Sequence, residues 1–435
     1  MITLSILTSL KYAWFVAIIL FLFRTFHEAD KYVISVVLPQ ILEEFQITYI
    51  LGGALFTATT ILSVVFYPVW GYLFDRYSRR VLITLSGILW GLTTLLNTLP
   101  RTFIGFFITR TLTGVDNTPP AGIHSLLSDY FPPKKRGKPF GLISAAAAFG
   151  ALIGTIIGVT IGYAYGWRPL FFLTGGLGIL LAIAVYFFVK DVPRGSTEPE
   201  LSGLELREEV YKIKIKDLFT LIKKPSLLFL SLQGFFGVFP WQALTAWAVT
   251  YLIIERGFSE FQVMLTMSIW LIVMVLGNFV GGAIGDFLFS RNISGRPILG
   301  AVDVFLSALA IYIVIMWPRE DIIGFIIAGS IACLIFPMAG PNVSASITDI
   351  MEPEARSSAD SLLRIFETEG SSTAPLIVGY LADLYGLGLG ILYVSASTWI
   401  ICGLLFTVLA FIIRKDIIHL RSKMKERAEL FKKLH

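Results

Sequence analysis

Charge is the first thing this chain has little of. Only 15% of its 435 residues are Asp, Glu, Lys or Arg, against roughly 25% in soluble domains. Cysteine is scarcer still: two residues, Cys333 and Cys402, both inside apolar runs, which excludes a disulfide framework. Catalytic signatures are missing too. No HExxH, no nucleophile elbow, no phosphate-binding glycine loop and no Cys/His metal cluster occurs, so the sequence predicts neither an enzyme nor a cofactor or metal. The N-terminal apolar run is too long for a cleavable signal and lacks a small-residue cleavage site. Beyond the linker and the tail there is no sizeable soluble stretch to serve as a receptor domain. What fills the chain instead is hydrophobic residues, 55% of the total, with a mean hydropathy of +0.76. The class is integral membrane.

Apolar runs of about 20 residues suit a bilayer crossing, and twelve can be placed near 12–39, 48–73, 81–99, 102–131, 139–165, 169–189, 226–254, 261–289, 297–316, 322–349, 357–384 and 388–413. With both termini inside, 27 Lys and Arg fall in cytoplasmic segments and four in outer loops; that bias fixes the orientation expected. The net charge of +5 follows from this placement and offers no basic face for nucleic acid.

The chain also repeats itself. "GYLFDRYSRR" (71–80) follows span two and "GAIGDFLFSR" (282–291) follows span eight, so Gly71 and Asp75 match Gly282 and Asp286. "DYFPPKKR" ends span four and "DIMEPEAR" ends span ten, each with Asp seven residues before Arg: Asp129 with Arg136, Asp349 with Arg356. The expected fold is therefore all-α: twelve transmembrane helices in two pseudo-symmetric six-helix bundles. The expected domains are 1–190, a cytoplasmic linker 191–224, a second bundle 225–414 and a basic amphipathic tail 415–435, the tail suited to the inner leaflet or to docking on the bundle. Parallel halves of this kind belong to transporters whose site lies between them, and one copy suffices.

"GYLFDRYSRR" resembles the signature loop of the major facilitator superfamily, with Ser78 where that pattern has Gly, and "GWRPLFFLTGGLG" (166–178) resembles the start of its sixth span. Within that superfamily, "EADKYVISVVLPQILEEF" resembles the first span of Spinster-type lipid transporters and of the related organic-anion symporters. "RTLTGVDNTPPAG" (110–122) resembles their fourth span: Arg110 and Gly114 match, Asn117 stands where they have an acid, and Asp116 lies one place earlier. The resemblance implies the major facilitator fold, with spans one, four, seven and ten lining a cavity and spans three, six, nine and twelve outside. It implies proton coupling through Asp30 and Arg110, and a latch between the halves at Asp75.

The residues support a polar interior on their own terms. "RTFHEADKY" (24–32) puts Arg24, His27, Glu28, Asp30 and Lys31 in the first span. Four charges near the midplane cost about 10–14 kcal/mol, while the span's apolar side chains return roughly 4–8, so this face must turn to partners or water. At about 100° per residue, Arg24, His27, Glu28 and Lys31 share one arc and Asp30 lies next to His27. Thr25, Phe26, Ala29 and Val33 form the opposite side. Arg24 with Glu28 and His27 with Lys31 are spaced as i,i+4 pairs.

Span four adds Arg110, Asp116, Asn117 and His124; Arg110, Asn117 and His124 are seven apart on one stripe. Span eleven adds Asp360, Arg364, Glu367 and Glu369. A carboxylate beside an arginine can load and release a proton as its surroundings change. Asp30 with Arg110 fits, with Glu28, Glu367 and Glu369 as rivals, and His27 titrates near neutrality. Arg110, Arg364 and Lys31 are equally suited to an anionic head group. Gln233, Trp241 and Asn342 are further cavity candidates, beside Gln242, Trp247 and Asn278. Asp75, Arg76, Arg79 and Arg80 sit at the inner mouth as gate or membrane-anchoring charge, with Asp286, Arg136 and Arg356 as counterparts.

The expected function is a proton-driven secondary transporter of a lipid-like solute, with a symporter of small organic anions or an uncoupled facilitator as the alternatives, in the cell membrane.

Overall fold

The structure is a computed structural model that describes residues 10–116, 121–131, 137–192, 224–351 and 356–434. Those residues form sixteen α-helices of ten residues or more and no strand; short stretches at Gly158–Gly162, Tyr163–Tyr165 and Tyr251–Glu255 prolong the helices that precede them. In chain order they are α1 (Leu10–Phe45), α2 (Tyr49–Arg76), α3 (Arg79–Leu96), α4 (Phe103–Leu112), α5 (Ala121–Tyr130), α6 (Gly137–Ile157) and α7 (Trp167–Phe188). They continue with α8 (Pro225–Gly237), α9 (Phe239–Thr250), α10 (Glu260–Arg291), α11 (Gly295–Met316), α12 (Ile322–Ile335), α13 (Ala339–Ile350), α14 (Arg356–Ser372), α15 (Ala374–Tyr385) and α16 (Leu387–Leu434). The sixteen make twelve crossings, because spans four, seven, ten and eleven are each built from two helices in line.

Each broken span carries a proline at or just beyond its break: Pro119 and Pro120, Pro240, Pro337, Pro375. Proline lacks the N–H that the carbonyl four residues back would accept, and its ring crowds that carbonyl. Discontinuous spans are tolerated where the freed backbone groups find other partners. Here they do. The Val115 carbonyl, which Pro119 cannot satisfy, accepts the Trp70 indole N–H at 2.7 Å; near the break of span eleven the Trp247 indole also bonds backbone, the Pro375 carbonyl, at 3.0 Å.

The chain divides into two compact units, Met1–Val210 with Ala248–Met267, and Tyr211–Trp247 with Ser268–His435. In the first, α1 lies along α6 on a ridge of glycines. A Cβ on Gly150 would stand 2.7 Å from the Thr25 carbonyl oxygen, and one on Gly154 would stand 2.4 Å from that of Ala29. Small residues four apart let two backbones touch, and they occupy the apolar side of α1, leaving its charged side free to face elsewhere. Span eight of the second unit repeats the device: Cβ atoms on Gly277 and Gly281 would meet the Leu334 carbonyl at 2.2 Å and Met338 at 2.4 Å.

Two tight turns mirror each other across the repeat. Gly166, before α7, has φ 89° and ψ 165°, and Gly386, before α16, has φ 92° and ψ 158°. This region of backbone space is essentially reserved for glycine. Gly386→Ala is expected to cost on the order of 1–3 kcal/mol, read as a lowered melting temperature in detergent. Gly166→Ala should match it, since a Cβ there meets nothing within 4 Å and the penalty is purely backbone.

The tail does not fold back as a separate element. α16 runs unbroken for 48 residues, and Ile417 and Leu420 are still buried.

Candidate functional site

In the first unit the ionisable residues of α1 separate into two groups. Glu28 accepts from both neighbours on its own helix: it is ion-paired with Arg24 and lies 3.3 Å from Lys31 Nζ. The Arg24 pairing follows the i,i+4 spacing. His27 and Lys31 do not pair as that spacing suggests, because His27 turns to Asp116, Nε2 to Oδ1 3.8 Å, and Lys31 turns to Glu28. Lys31 remains one-third exposed. Tyr67 of α2 and His124 of α5 lie within the field of Arg24, and the His124 ring packs 5.0 Å from that of Phe140. The first group is thus the Arg24–Glu28–Lys31 cluster of α1, with Tyr67 and His124 in its field.

The second group lies deeper. His27, Asp30, Arg110 and Asp116 are all buried. Asp30 Oδ2 accepts the Thr94 hydroxyl at 3.0 Å. Asp30 Oδ1 has no hydrogen-bond partner among the described residues, and neither has Arg110 Nη1. Asp30 and Asp116 are the charged groups whose field falls on Arg110. Trp90 of α3 closes the far side, edge-on to His27 with ring centroids 5.1 Å apart.

Asp116 reaches this group because span four is not one helix. α4 ends at Leu112, and residues 113–116 form turns held from α2. Thr59 donates to the Arg110 carbonyl at 3.1 Å, Trp70 donates to that of Val115, and Gly114 sits against the Thr59 backbone, where a Cβ would meet oxygen at 2.3 Å. The stripe of Arg110, Asn117 and His124 read from helical spacing therefore does not exist as a continuous face: Arg110 ends one helix, His124 belongs to another, and Asn117 lies outside the described residues. The signal was in the sequence, as Pro119 and Pro120. Trp90, Thr94 and Tyr67 were missed altogether. Span three, expected outside the cavity, supplies two of them.

The second unit holds a cavity of about 210 Å³. Gln233, Trp241, Asn278, Phe336, Glu367 and Trp399 give it its character, mostly apolar with two amides and one carboxylate. Glu367 is bonded to Arg364 at 3.0 Å. Asn342 spends its amide on backbone, donating to the carbonyls of Gly281 at 3.0 Å and Met338 at 2.9 Å. Trp247 is wholly buried. The side chains of Asp360 and Glu369 lie outside the described residues.

At the end where α2 gives way to α3, Arg79 is buried and ion-paired with Asp129. It also donates to the Ser125 carbonyl at 3.2 Å and the Val192 carbonyl at 3.2 Å. The second unit matches this: Arg296 of α11 pairs with Asp349 and, at 2.8 Å, with Asp286. The paired Asp129 and Asp349 of the repeat thus hold equivalent arginines. Arg76 stacks over Tyr72 and Arg80 over Tyr186, each at 4.4 Å. The Arg80 backbone N–H donates to Asp191 at 3.0 Å. A Cβ on Gly71 would meet nothing. Arg136 and the side chains of Asp75 and Arg356 lie outside the described residues.

Twelve crossings in two repeated sets, charges buried inside the first and a largely apolar cavity inside the second, define a multi-pass membrane transporter. The chain belongs to the Major Facilitator Superfamily, whose profile it matches over residues 13–340. It is 26% identical to protein spinster homolog 1 of Xenopus tropicalis over 461 residues, 98% of this chain and 85% of that protein. It is 22% identical to the hexuronate transporter of Bacillus subtilis (strain 168), covering 85% of this chain and 88% of that one. Among solved structures, its fold is similar to that of a bacterial homologue of the human lysosomal transporter Spinster, in an inward-facing and unoccupied conformation. The TM-score is 0.81 at 20% identity, over 94% of this chain and 99% of that one.

Proposed function

We propose that the protein is a proton-coupled carrier of the Spinster type that moves an amphipathic, lipid-like solute by alternating access, its moving bodies the bundles 1–190 and 225–414. The observation that carries this reading is the pair of unspent groups in the first unit, Asp30 Oδ1 and Arg110 Nη1, both buried and both without a hydrogen-bond partner. Buried polar groups are bonded in the great majority of cases, and an exception calls for a role. A proton arriving on Asp30 discharges it and leaves Arg110 to Asp116 or to an anionic solute; its departure restores the attraction. Glu28 is already held by two cations and His27 by Asp116, so both serve better as relays than as the carrier.

Arg24 and Lys31, with His124 and Tyr67 in the field of Arg24, suit an anionic head group. Taken by itself, the cavity of the second unit, at about 210 Å³, falls below the roughly 300–1,000 Å³ that enclose a whole drug-sized ligand and suits a small apolar group. The gate is assigned, from the sequence repeat, to Gly71, Asp75, Arg76, Arg79, Arg80 and Arg136 of the first half and to Asp286 and Arg356 of the second. The bias of Lys and Arg supports cytoplasmic termini in a cell membrane, and one copy suffices for transport.

The second reading is a symporter of sugar acids or related carboxylates, which the similarity to a hexuronate transporter and the cations of the first unit both favour. A thermal-shift series on detergent-purified protein separates the two. A ligand at 100 times its Kd contributes about 2.7 kcal/mol, a rise of several degrees. Lysophospholipids and sphingoid phosphates are expected to give that rise. A rise with hexuronate or glucarate alone, lost in Arg110→Ala, would replace the lipid reading with the second.

A further inference from the structure

Thr94 uses its hydroxyl differently from several threonines of the first unit. Thr59, Thr60, Thr93, Thr111 and Thr155 all donate to the carbonyl four residues back, at 2.7–2.9 Å, the usual way a helix satisfies a hydroxyl away from water. Thr94, with no exposed surface, gives its one hydrogen across to another helix, to Asp30 Oδ2. That bond has a geometric result. With Oδ2 held by α3, the carboxylate plane is fixed and Oδ1 is the oxygen left bare, in the group that holds Arg110, whose Nη1 is bare too. No ion pair closes between Asp30 and Arg110 among the described residues.

We propose that Thr94 is a positioning residue for proton coupling: its hydroxyl tethers Asp30 so that the carboxylate exchanges its proton without collapsing onto Arg110. This rests on the reading of Asp30 as the proton carrier. Arg110 of α4 and Asp116 of the following turn share their field with Asp30, and His27, Glu28 and Lys31 are its titratable neighbours along α1. The lengths of α3, α6 and α7 near it bring no charged side chain among the described residues. Thr94 is thus the fixed dipole in an otherwise ionic surround. A hydrogen bond to an ionised group is among the stronger contacts a side chain makes, and losing it alters the balance between the protonated and ionised forms.

The test needs no substrate. Protein reconstituted in phosphatidylcholine vesicles is titrated by infrared difference spectroscopy, following the carbonyl stretch of a protonated carboxyl. The band that Asp30→Asn removes is that of Asp30. In Thr94→Val this band is expected at a different frequency, with its titration midpoint displaced by roughly one pH unit, and Thr94→Ser should restore both. If Thr94→Val does not yield folded protein, Thr94→Ala gives the same reading. A band and midpoint identical to wild type in a folded valine or alanine variant would overturn the proposal while leaving Asp30 as carrier. A wild-type protein in which no Asp30 band titrates would overturn both.

Discussion

Asp30→Asn is expected to reduce uptake driven by a pH gradient, measured in proteoliposomes, to the level of protein-free vesicles. Exchange of solute between compartments of equal pH should survive. The separation follows from what the substitution leaves intact. Asparagine has the same shape and its carbonyl still accepts the Thr94 hydroxyl, so the helix contact at 3.0 Å is retained. Arg110 is not stranded, because Asp116 also bears on it; without that second carboxylate a buried guanidinium would threaten folding. What the variant cannot do is change charge. A carrier that exchanges solute but ignores the proton gradient is the signature of a lost coupling site in an otherwise working protein. Full gradient-driven uptake by Asp30→Asn would remove Asp30 from the mechanism and pass the role to Glu28 or Glu367.

Asp129→Asn should damage stability more than activity. Arg79 and Asp129 have side chains only 5% and 6% exposed, and removing one partner of a buried pair costs about 3–5 kcal/mol, since the other charge is left behind. The three carbonyl and hydroxyl acceptors that remain to Arg79 cannot neutralise it. The repeat supplies an internal control. Asp349→Asn strikes the equivalent position, yet Arg296 keeps Asp286 at 2.8 Å, and Asp349 is 21% exposed, so water screens part of the loss. Melting curves of the two variants in one detergent should show the first-unit change as distinctly the larger. Equal losses would mean that the fold reads the two clusters alike despite their different burial.

How far the sequence reaches depends on which physics speaks. The twelve crossings were legible because a bilayer demands about 20 apolar residues and leaves little latitude. Gly71 to Arg80 and Asp129 showed the repeat because matching ends of matching spans carry matching charges. The charged face of α1 was legible for the same energetic reason. Partners across helices were not. Nothing in "WGLTTLLN" says that Thr93 bonds its own helix while Thr94 bonds another, for that follows from how α3 is rotated against α1. The breaks lay between these cases. Pro119, Pro120, Pro240, Pro337 and Pro375 announce them, but a hydropathy window averages a proline into its apolar neighbours. Spans four, seven, ten and eleven were therefore read as straight. Helical phase carried straight through span four does not bring Asp116 to His27; the turn at 113–116 does.

The unbroken length of α16 makes the C-terminus a pointer. Residues beyond Ile413 carry the axis of the last span onward by about 30 Å at 1.5 Å per residue. A tilt of ten degrees within the bilayer would swing the far tip by about 5 Å, a displacement that spin labels or fluorophores resolve. A probe near Leu434 would thus magnify small rotations of the second bundle into a distance change, without placing any label where solute must pass.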